Sequence, residues 1–286
     1  MMIRKIFLAV ITLAMFAACS SDDDNSIATS TLTLNFTGLE DLGPNSVYEG
    51  WIIVDGSPVS TGVFTSVTFP QTFPIATSQL NAATKFVLSI EPVNDTDPAP
   101  SAIKILAGDF LGTSASVDTG IIADFSNING QYILTTPSTN SSTDNNKGVW
   151  FLDPTGAPDP TLTLPTLPTG WKYEGWAIIN GTPISSGRFD AASGADADGN
   201  PFAGTDNTML PPFPGEDFIM GNPNGVDLAM ATHIAKIVVS IEPEPDNSVN
   251  PFLLKPLVGE DLTENAATAP TLHNLSGSLP FGTVTR

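Results

Sequence analysis

Short apolar runs separated by turn-forming residues dominate the chain from residue 31 onwards. The runs are rich in Val, Ile, Phe, Thr and Trp, and most are soon followed by Gly, Pro, Asn or Asp, which is typical of strands joined by turns. They include residues 51–54, 86–88 and 237–239. Asp55-Gly56 and Asn180-Gly181 are strong signals for two-residue hairpin turns, because both turn positions tolerate positive φ. A helical period is weak, with residues 226–235 as its best candidate. The pattern predicts an all-β protein.

A long sequence repeat divides this part of the chain into two halves. Tyr48–Phe64 recurs as Tyr173–Phe189 at an offset of 125 residues, and Lys85–Pro92 recurs as Lys236–Pro243 at an offset of 151 residues. Ordered matches of this length indicate duplicated domains rather than a short-period solenoid. The predicted fold is therefore two tandem antiparallel β-sandwich domains, which we call the first repeat (residues 31–137) and the second repeat (residues 148–286).

Two stretches interrupt the correspondence between the repeats. The two offsets differ by 26 residues, which places an insertion within residues 190–230 of the second repeat, in a stretch rich in Gly, Ala, Asp, Asn and Pro. This composition predicts an elaborated surface loop rather than added core. Residues 138–147 are almost all polar, and they form either a flexible linker or the tip of a long hairpin that ties the halves together.

The N-terminal residues have the layout of a bacterial export and anchoring signal. Arg4 and Lys5 precede an apolar run over residues 6–18, whose 13 residues are too few for a permanent membrane-spanning helix. The residues around Cys19 resemble a lipobox, in which the cysteine is lipidated and becomes the mature amino terminus. We therefore expect residues 1–18 to be a signal peptide and Cys19 to carry fatty acid such as palmitate.

The residues after Cys19 bear on the location of the protein. Residues 19–30 form the predicted lipidated tether, and its acidic cluster at residues 22–24 resembles the signal that sends some lipoproteins to the outer face of the outer membrane. The competing interpretation is a solvated tether without an addressing role. We expect a lipid-anchored outer-membrane protein exposed at the cell surface, with the periplasmic face as the alternative.

Composition excludes several classes of partner and site. Asp and Glu number 30 against 10 Lys and Arg, which gives a formal net charge of -20. A chain of this charge lacks the basic footprint that nucleic acid or anionic headgroups require, so membrane contact is expected through the N-terminal lipid. A single cysteine excludes an intrachain disulfide, a CxxC redox pair and a Cys-rich zinc site.

The two recurring motifs resemble a known family. Tyr-Glu-Gly-Trp, a hydrophobic strand, Asp/Asn-Gly, Pro-Val/Ile-Ser and Gly stand at residues 48–62 and 173–187, and Ser-Ile-Glu-Pro follows at residues 89–92 and 240–243. Together they resemble the extracytoplasmic domain of anti-sigma-K factors. In that family, sigma-factor binding resides in a separate cytoplasmic domain joined by a membrane helix. We expect this chain to have neither, so the resemblance implies a fold and an envelope location but no sigma-factor partner and no named ligand.

Aromatic residues recur within the first motif. Tyr48 and Trp51 have Tyr173 and Trp176 as their counterparts, all in the most apolar part of each repeat. This setting favours packing in the core over an exposed carbohydrate platform.

Acidic residues recur at three positions, paired as Glu49 with Glu174, Glu91 with Glu242, and Asp109 with Glu260. Paired carboxylates can perform glycosidase chemistry. Recurrence in both repeats instead favours a role in the fold, for which cross-strand ion pairs with lysine are sufficient. The candidate lysines are Lys85 and Lys104, repeated as Lys236 and Lys255. No catalytic residue is assigned.

One stretch of the insertion has the spacing of metal ligands. Asp196, Asp198 and Asn200 place alternate side-chain oxygens around Gly199, like the opening of a calcium loop. The full pattern needs a glutamate at the twelfth position, where this chain has Asn207, so a solvated acidic loop is the competing interpretation. Apart from calcium at this loop, no cofactor is expected.

These observations predict a non-enzymatic cell-envelope lipoprotein with a binding, sensing or structural role. The alternative is a glycan-binding or glycan-processing surface protein that uses the insertion within residues 190–230. Either a protein or a glycan would then be the partner.

Overall fold

Strands form where the short apolar runs predict them. The computed structural model describes residues 27–286 except residues 140, 142, 156, 207–209, 232, 247 and 265–268. The predicted signal peptide and Cys19 therefore lie outside the described residues. Within the described residues the strands are β1 (Thr29–Thr37), β2 (Ser46–Val54), β3 (Ser57–Phe64), β4 (Gln71–Ala76), β5 (Lys85–Pro92), β6 (Lys104–Leu111), β7 (Ser114–Asp118), β8 (Ile133–Leu134), β9 (Gly148–Trp150), β10 (Leu152–Asp153), β11 (Asp159–Pro160), β12 (Trp171–Ile179), β13 (Thr182–Phe189), β14 (Gly215–Asp217), β15 (Ile234–Pro243), β16 (Leu254–Gly259), β17 (His273–Asn274) and β18 (Phe281–Thr285).

Helical structure is limited to short pieces. The helix α1 (Thr77–Ala82) lies between β4 and β5. Single 3-10 turns occur at Thr119–Ile121, Asn145–Lys147, Pro223–Gly225 and Ser276–Ser278. Across the described ranges, no helix combines the length and the apolar character needed to cross a membrane. The best helical candidate, residues 226–235, forms no helix among its described residues: β15 begins at Ile234, and the buried Val226 and Leu228 lie in the irregular connection that leads into it.

The first sheet has eight strands in the order β3-β2-β5-β6-β7-β18-β1-β4. Alternating residues of β1 (Leu32, Leu34 and Phe36) are buried, as the period of a half-buried strand requires. The sheet folds over on itself, because the rings of Phe36 in β1 and Phe86 in β5 lie 6.0 Å apart, with their planes tilted by 47°. The result is a sandwich made from one continuous sheet.

The second sheet has five strands in the order β13-β12-β15-β16-β17, which matches the order β3-β2-β5-β6-β7 of the first sheet. A three-stranded sheet, β14-β9-β8, lies beside it. Phe151, which follows β9, packs on Gly175 of β12, where an added Cβ would come within 3.1 Å of its ring. The all-β prediction is confirmed, and the buried side chains of both halves join in one continuous core.

The last strand of the chain belongs to the first sheet. β18 lies between β1 and β7, and Val284 faces Leu34 on one side and Ala115 on the other. Val284 is fully buried. Arg286 extends this attachment, since its guanidinium donates hydrogen bonds to the carbonyls of Leu80 and Ala83 at 2.6 and 2.7 Å. The second repeat thus supplies the strand that completes the first sheet.

The end of the first repeat makes the reciprocal contribution. The backbones of Asn129 and Thr163 exchange hydrogen bonds of 3.3 and 2.8 Å, and Gln131 forms a bridge to Thr271. β8 then pairs with β9. Residues 129–134 therefore lie among segments of the second repeat, as β18 lies between strands of the first.

This exchange differs from the predicted division of the chain. That division places residues 129–137 in the first domain and residues 281–286 in the second, whereas the hydrogen bonds join each segment to the other half. Strand alternation specifies which face of a strand is buried, but it does not specify which sheet accepts the strand. We therefore define the first unit as residues 29–121 with 281–286, and the second unit as residues 129–279.

The insertion is more than the predicted surface loop. Its strand β14 pairs with β9, and Glu216, Asp217 and Phe218 are at most 1% exposed. Residues 138–147 connect the paired strands β8 and β9, which is the hairpin alternative rather than a free linker.

Candidate functional site

In each unit a buried tryptophan begins a chain of hydrogen bonds that ends at a carboxylate. In the second unit, Trp176 Nε1 donates to Ser240 Oγ at 2.8 Å, and Ser240 Oγ donates to Glu242. The same chain in the first unit is made by Trp51, Ser89 and Glu91. Both tryptophans are 2% exposed, so the interpretation as core residues is confirmed.

The register of β12 against β15 brings two glutamates together. Glu174 lies opposite Ser240 and Lys172 lies opposite Glu242, so the side chains of Glu174 and Glu242 are diagonal neighbours on one face of the sheet. Trp176 is on the same face, in a buried cluster separate from the main core. This face is the base of the candidate site.

Glu174, Glu242 and Asp246 converge on one point. A carboxylate oxygen of each lies within 4.8 Å of the other two. Glu174 Oε1 accepts a hydrogen bond from Ser185 Oγ at 2.5 Å, and Glu242 Oε1 accepts one from the backbone N–H of Phe252 at 2.9 Å. The second oxygen of each glutamate, Oε2, is buried and has no hydrogen-bond partner. Because buried polar atoms nearly always have partners, these two oxygens are the atoms at which a ligand or a proton would bind.

Burial perturbs the acidity of this cluster. Removal from water raises the pKa of Glu174 to about 8 and the pKa of Glu242 to about 7. Hydrogen bonds from Ser185 and Ser240 oppose the rise, and the negative charge of Asp246 adds to it. A cation placed among these carboxylates would reverse the effect, since an opposite charge favours the ionised form.

The insertion forms another wall of the site. A cavity of about 290 Å³ is lined by Glu174, Arg188, Asp198, Phe202, Glu216 and Asp246, among others. Burial raises the pKa of Glu216 to about 8. Arg188 is held by Asp198 and Glu244, with nitrogen–oxygen distances of 3.0 and 3.4 Å. The cavity therefore has a predominantly acidic lining, and its arginine is already engaged in ion pairs.

The predicted calcium ligands of the insertion lie beside this cavity. Asp198 is bound to Arg188, so its charge is already compensated. Asp196 is buried beside Gly187, and burial raises its pKa to about 6. The carboxylate oxygens of Asp196 and Oδ1 of Asn200 are buried without a hydrogen-bond partner, although backbone N–H groups near Asp196 partly offset the rise in its pKa. Calcium binding by Asp196, Asp198 and Asn200 stays a prediction, and the three carboxylates that converge are elsewhere.

Lysine pairing accounts for one of the three recurring acidic positions. Lys85 Nζ lies 3.3 Å from Asp109, and its counterpart Lys236 Nζ lies 2.8 Å from Glu260. Glu174 and Glu242 instead accept hydrogen bonds from serines and are 4% and 0% exposed. A surface ion pair therefore does not explain why Glu174 and Glu242 have counterparts in the first repeat.

Asp246 is the member of the cluster that the sequence analysis missed. Its counterpart is Asp95, at the same offset of 151 residues that relates Glu91 to Glu242, so the repeat contained the signal. In the first unit, Glu49 is half-buried and Asp95 is exposed, whereas Glu174 is buried and Asp246 is half-buried. The more enclosed trio is the one that faces the insertion.

Comparison with known proteins supports the resemblance drawn from the motifs. The family model described as "Anti-sigma-K factor rskA, C-terminal" matches residues 25–103. This stretch covers the first repeat from β1 through β5, and over it the chain is similar to that family. No curated protein and no solved structure matched the chain. The similarity to an anti-sigma-factor domain supports a regulatory or sensing role.

Proposed function

We propose that this chain is a non-enzymatic cell-envelope lipoprotein with a binding or sensing role, anchored in the outer membrane through lipid on Cys19. The observation that carries the proposal is the match of residues 25–103 to the C-terminal region of an anti-sigma-K factor. By resemblance that region is extracytoplasmic, and in this sequence it follows Cys19 closely. A lipidated Cys19 would hold such a domain at the membrane without placing it in contact with a sigma factor.

The acidic cavity of the second unit supports a role in binding. Its lining carboxylates favour a cationic ligand over an anionic one. Phe202 and Phe218, two of the three aromatic residues of the insertion, stack with their ring centroids 6.2 Å apart. Phe218 is fully buried, and Phe202 and Phe213 are half-buried. None of the three rings is an exposed platform for a sugar, so the glycan alternative gains no support from the insertion.

A cleft between the units is a surface through which ligand binding in the acidic cavity could affect a partner. The cleft has a volume of about 450 Å³, and residues of the first unit such as Glu40 and Ile90 form one side of it. Asp246 and Ser248 line both this cleft and the acidic cavity. A ligand that moves the segment around Asp246 would therefore alter the cleft as well.

Metabolic labelling tests the anchor. In a Gram-negative host given a detectable fatty acid, the wild-type chain should become labelled and a Cys19→Ser variant should not. Protease added to intact cells should cleave a surface-exposed chain, whereas cleavage only after permeabilisation would place it on the periplasmic face. Absence of label on the wild-type chain would overturn the lipoprotein proposal.

Transcript profiles test the sensing role. Loss of the chain should change the transcription of a set of genes, and the wild-type chain should restore it. A chain with Glu174→Gln and Glu242→Gln, in which the acidic cluster loses two of its three carboxylates, should fail to restore it. An unchanged profile in cells lacking the chain would contradict sensing and favour a structural role.

A further inference from the structure

We infer that Glu174, Glu242 and Asp246 form a binding site for a divalent cation, and that the cation is calcium. The inference goes beyond the proposed envelope function, because it concerns the folded second unit and holds however the chain is anchored. The residues of the Asp196–Asn200 loop are not among the proposed ligands. The three ligands come from β12, from the end of β15 and from the loop that follows β15.

The donor atoms select a hard cation. All three side chains are carboxylates, and oxygen ligands of this kind suit calcium, magnesium and manganese rather than zinc or copper. Their nearest oxygens lie within 4.8 Å of one another. Magnesium usually keeps several waters and is bound through one or two carboxylates, whereas calcium accepts about six to eight oxygen ligands in a flexible geometry. Three protein carboxylates that converge on one point therefore favour calcium.

The hydrogen bonds around the cluster leave one oxygen of each glutamate available to an ion. Ser185 Oγ is bonded to Glu174 Oε1, while Ser240 Oγ and the Phe252 backbone N–H are bonded to Glu242 Oε1. These bonds fix the orientation of both carboxylates, as hydrogen bonds to metal ligands commonly do. The two Oε2 atoms are buried, unpartnered, and belong to side chains that are at most 4% exposed. A cation between them would supply the partner that protein groups do not.

Charge also favours an added cation. Three carboxylates bring up to three negative charges into a largely buried space, and such charges are costly unless they are paired. Two cationic side chains act on the cluster. The guanidinium of Arg188 is bound to Asp198 and Glu244. Lys255, whose charge favours ionised Glu242, has its Nζ 3.9 Å from Glu40. A divalent ion would compensate most of the charge of the trio.

Calcium titration of the full chain, after dialysis against EDTA, tests the site. Calorimetry near neutral pH should give a Kd of about 10⁻⁴ to 10⁻³ M, the range of extracellular calcium modules, and calcium should raise the melting temperature. Glu174→Gln, Glu242→Gln and Asp246→Asn should each weaken binding at least tenfold. The two glutamine variants should fold, because glutamine keeps the Oε1 acceptor and places its amide nitrogen at the unpartnered position.

Two matched variants locate the ion. Glu91→Gln changes the equivalent residue of the first unit, which has the same hydrogen bonds from serine and backbone, and it should leave the Kd unchanged. Asp227→Asn changes an exposed carboxylate of the insertion that does not line the acidic cavity, and it should also leave the Kd unchanged. Binding lost in Asp227→Asn but kept in Glu242→Gln would overturn the assignment, as would the absence of any calcium effect up to about 10 mM, tenfold above the expected range. An equal or larger effect of magnesium would overturn the choice of calcium.

Discussion

A substitution two residues from the C terminus should loosen the first unit rather than the repeat in which it lies. Val284 belongs to the second repeat by sequence, but it is fully buried in the first sheet between Leu34 and Ala115. Val284→Ala removes two methyl groups from this position. The lost transfer free energy is about 0.8 kcal/mol for each, and the residual cavity brings the total to about 2 kcal/mol.

Hydrogen exchange can locate this loss. Amides that exchange through opening of the first sheet should lose about 2 kcal/mol of protection, which corresponds to exchange about 30-fold faster. The effect should be largest in β1 and β7, the two neighbours of β18, and small in β12 and β15. Peptide-resolved exchange with mass spectrometry measures both regions in one sample.

Leu134→Ala provides the reciprocal variant. Leu134 is 3% exposed and lies in β8, at the end of the first repeat, where it pairs with Val149 of β9. Truncation of a buried leucine costs about 2–5 kcal/mol, and here the faster exchange should appear in β9 and β14. If Val284→Ala accelerates exchange equally in both units, or mainly in the second, the prediction that the first sheet opens separately from the second is refuted.

Three further predictions concern acidity and turn geometry. In EDTA, the free energy of unfolding should fall as pH rises from about 5 to about 8. Burial raises the pKa of Glu216 from 4.5 to about 8, and such a group stabilises the fold fully only below its unfolded pKa, so each such group gives a slope of about 1.4 kcal/mol per pH unit. Urea unfolding that shows no decline across this pH range would contradict the prediction. In EDTA, Glu242→Gln should raise the free energy of unfolding by up to about 3 kcal/mol at about pH 8. The reason is that Gln mimics the neutral acid, and the pKa of Glu242 is raised from 4.5 to about 7. The gain should nearly vanish at about pH 4 in the same urea assay. Gly181→Ala should cost about 1 kcal/mol by chemical denaturation, because Gly181 has φ of 79° and no atom lies within 4 Å of an added Cβ, so backbone strain is the whole effect.

The local elements could be predicted because their signals are local. Asp55 and Asn180 have φ of 50° and 52°, and Gly56 and Gly181 have φ of 77° and 79°, as the two-residue hairpin turns require. Glu91-Pro92 and Glu242-Pro243 end β5 and β15, since proline cannot donate to a further ladder bond. Turn chemistry therefore accounts for the hairpin of β2 with β3 and for that of β12 with β13.

Pairing between distant segments could not be predicted in the same way. β18 and residues 129–134 carry the alternation of ordinary strands, and nothing in either segment distinguishes the sheet of its own repeat from the other sheet. The acidic cluster could not be predicted from the sequence either. Residues of the insertion line the cavity beside Glu174. The composition of the insertion indicated a surface loop, although it contributes the buried Glu216 and Asp217.

The contrast between the two units indicates which features belong to the framework and which to the site. The chain from tryptophan through serine to glutamate is present in both units with equal tryptophan–serine distances of 2.8 Å, so it serves the fold wherever the repeat occurs. In the first unit Glu91 is buried as Glu242 is, but Glu49 is half-buried and Asp95 is exposed. In the second unit residues of the insertion line a cavity together with Glu174 and Asp246, and the unpartnered Oε2 atoms of Glu174 and Glu242 would gain substantially from a cation. The proposed binding site therefore belongs to the second unit, where the insertion lines the cavity beside the shared framework, while the first unit, completed by β18, supplies the opposite wall of the cleft beside Asp246.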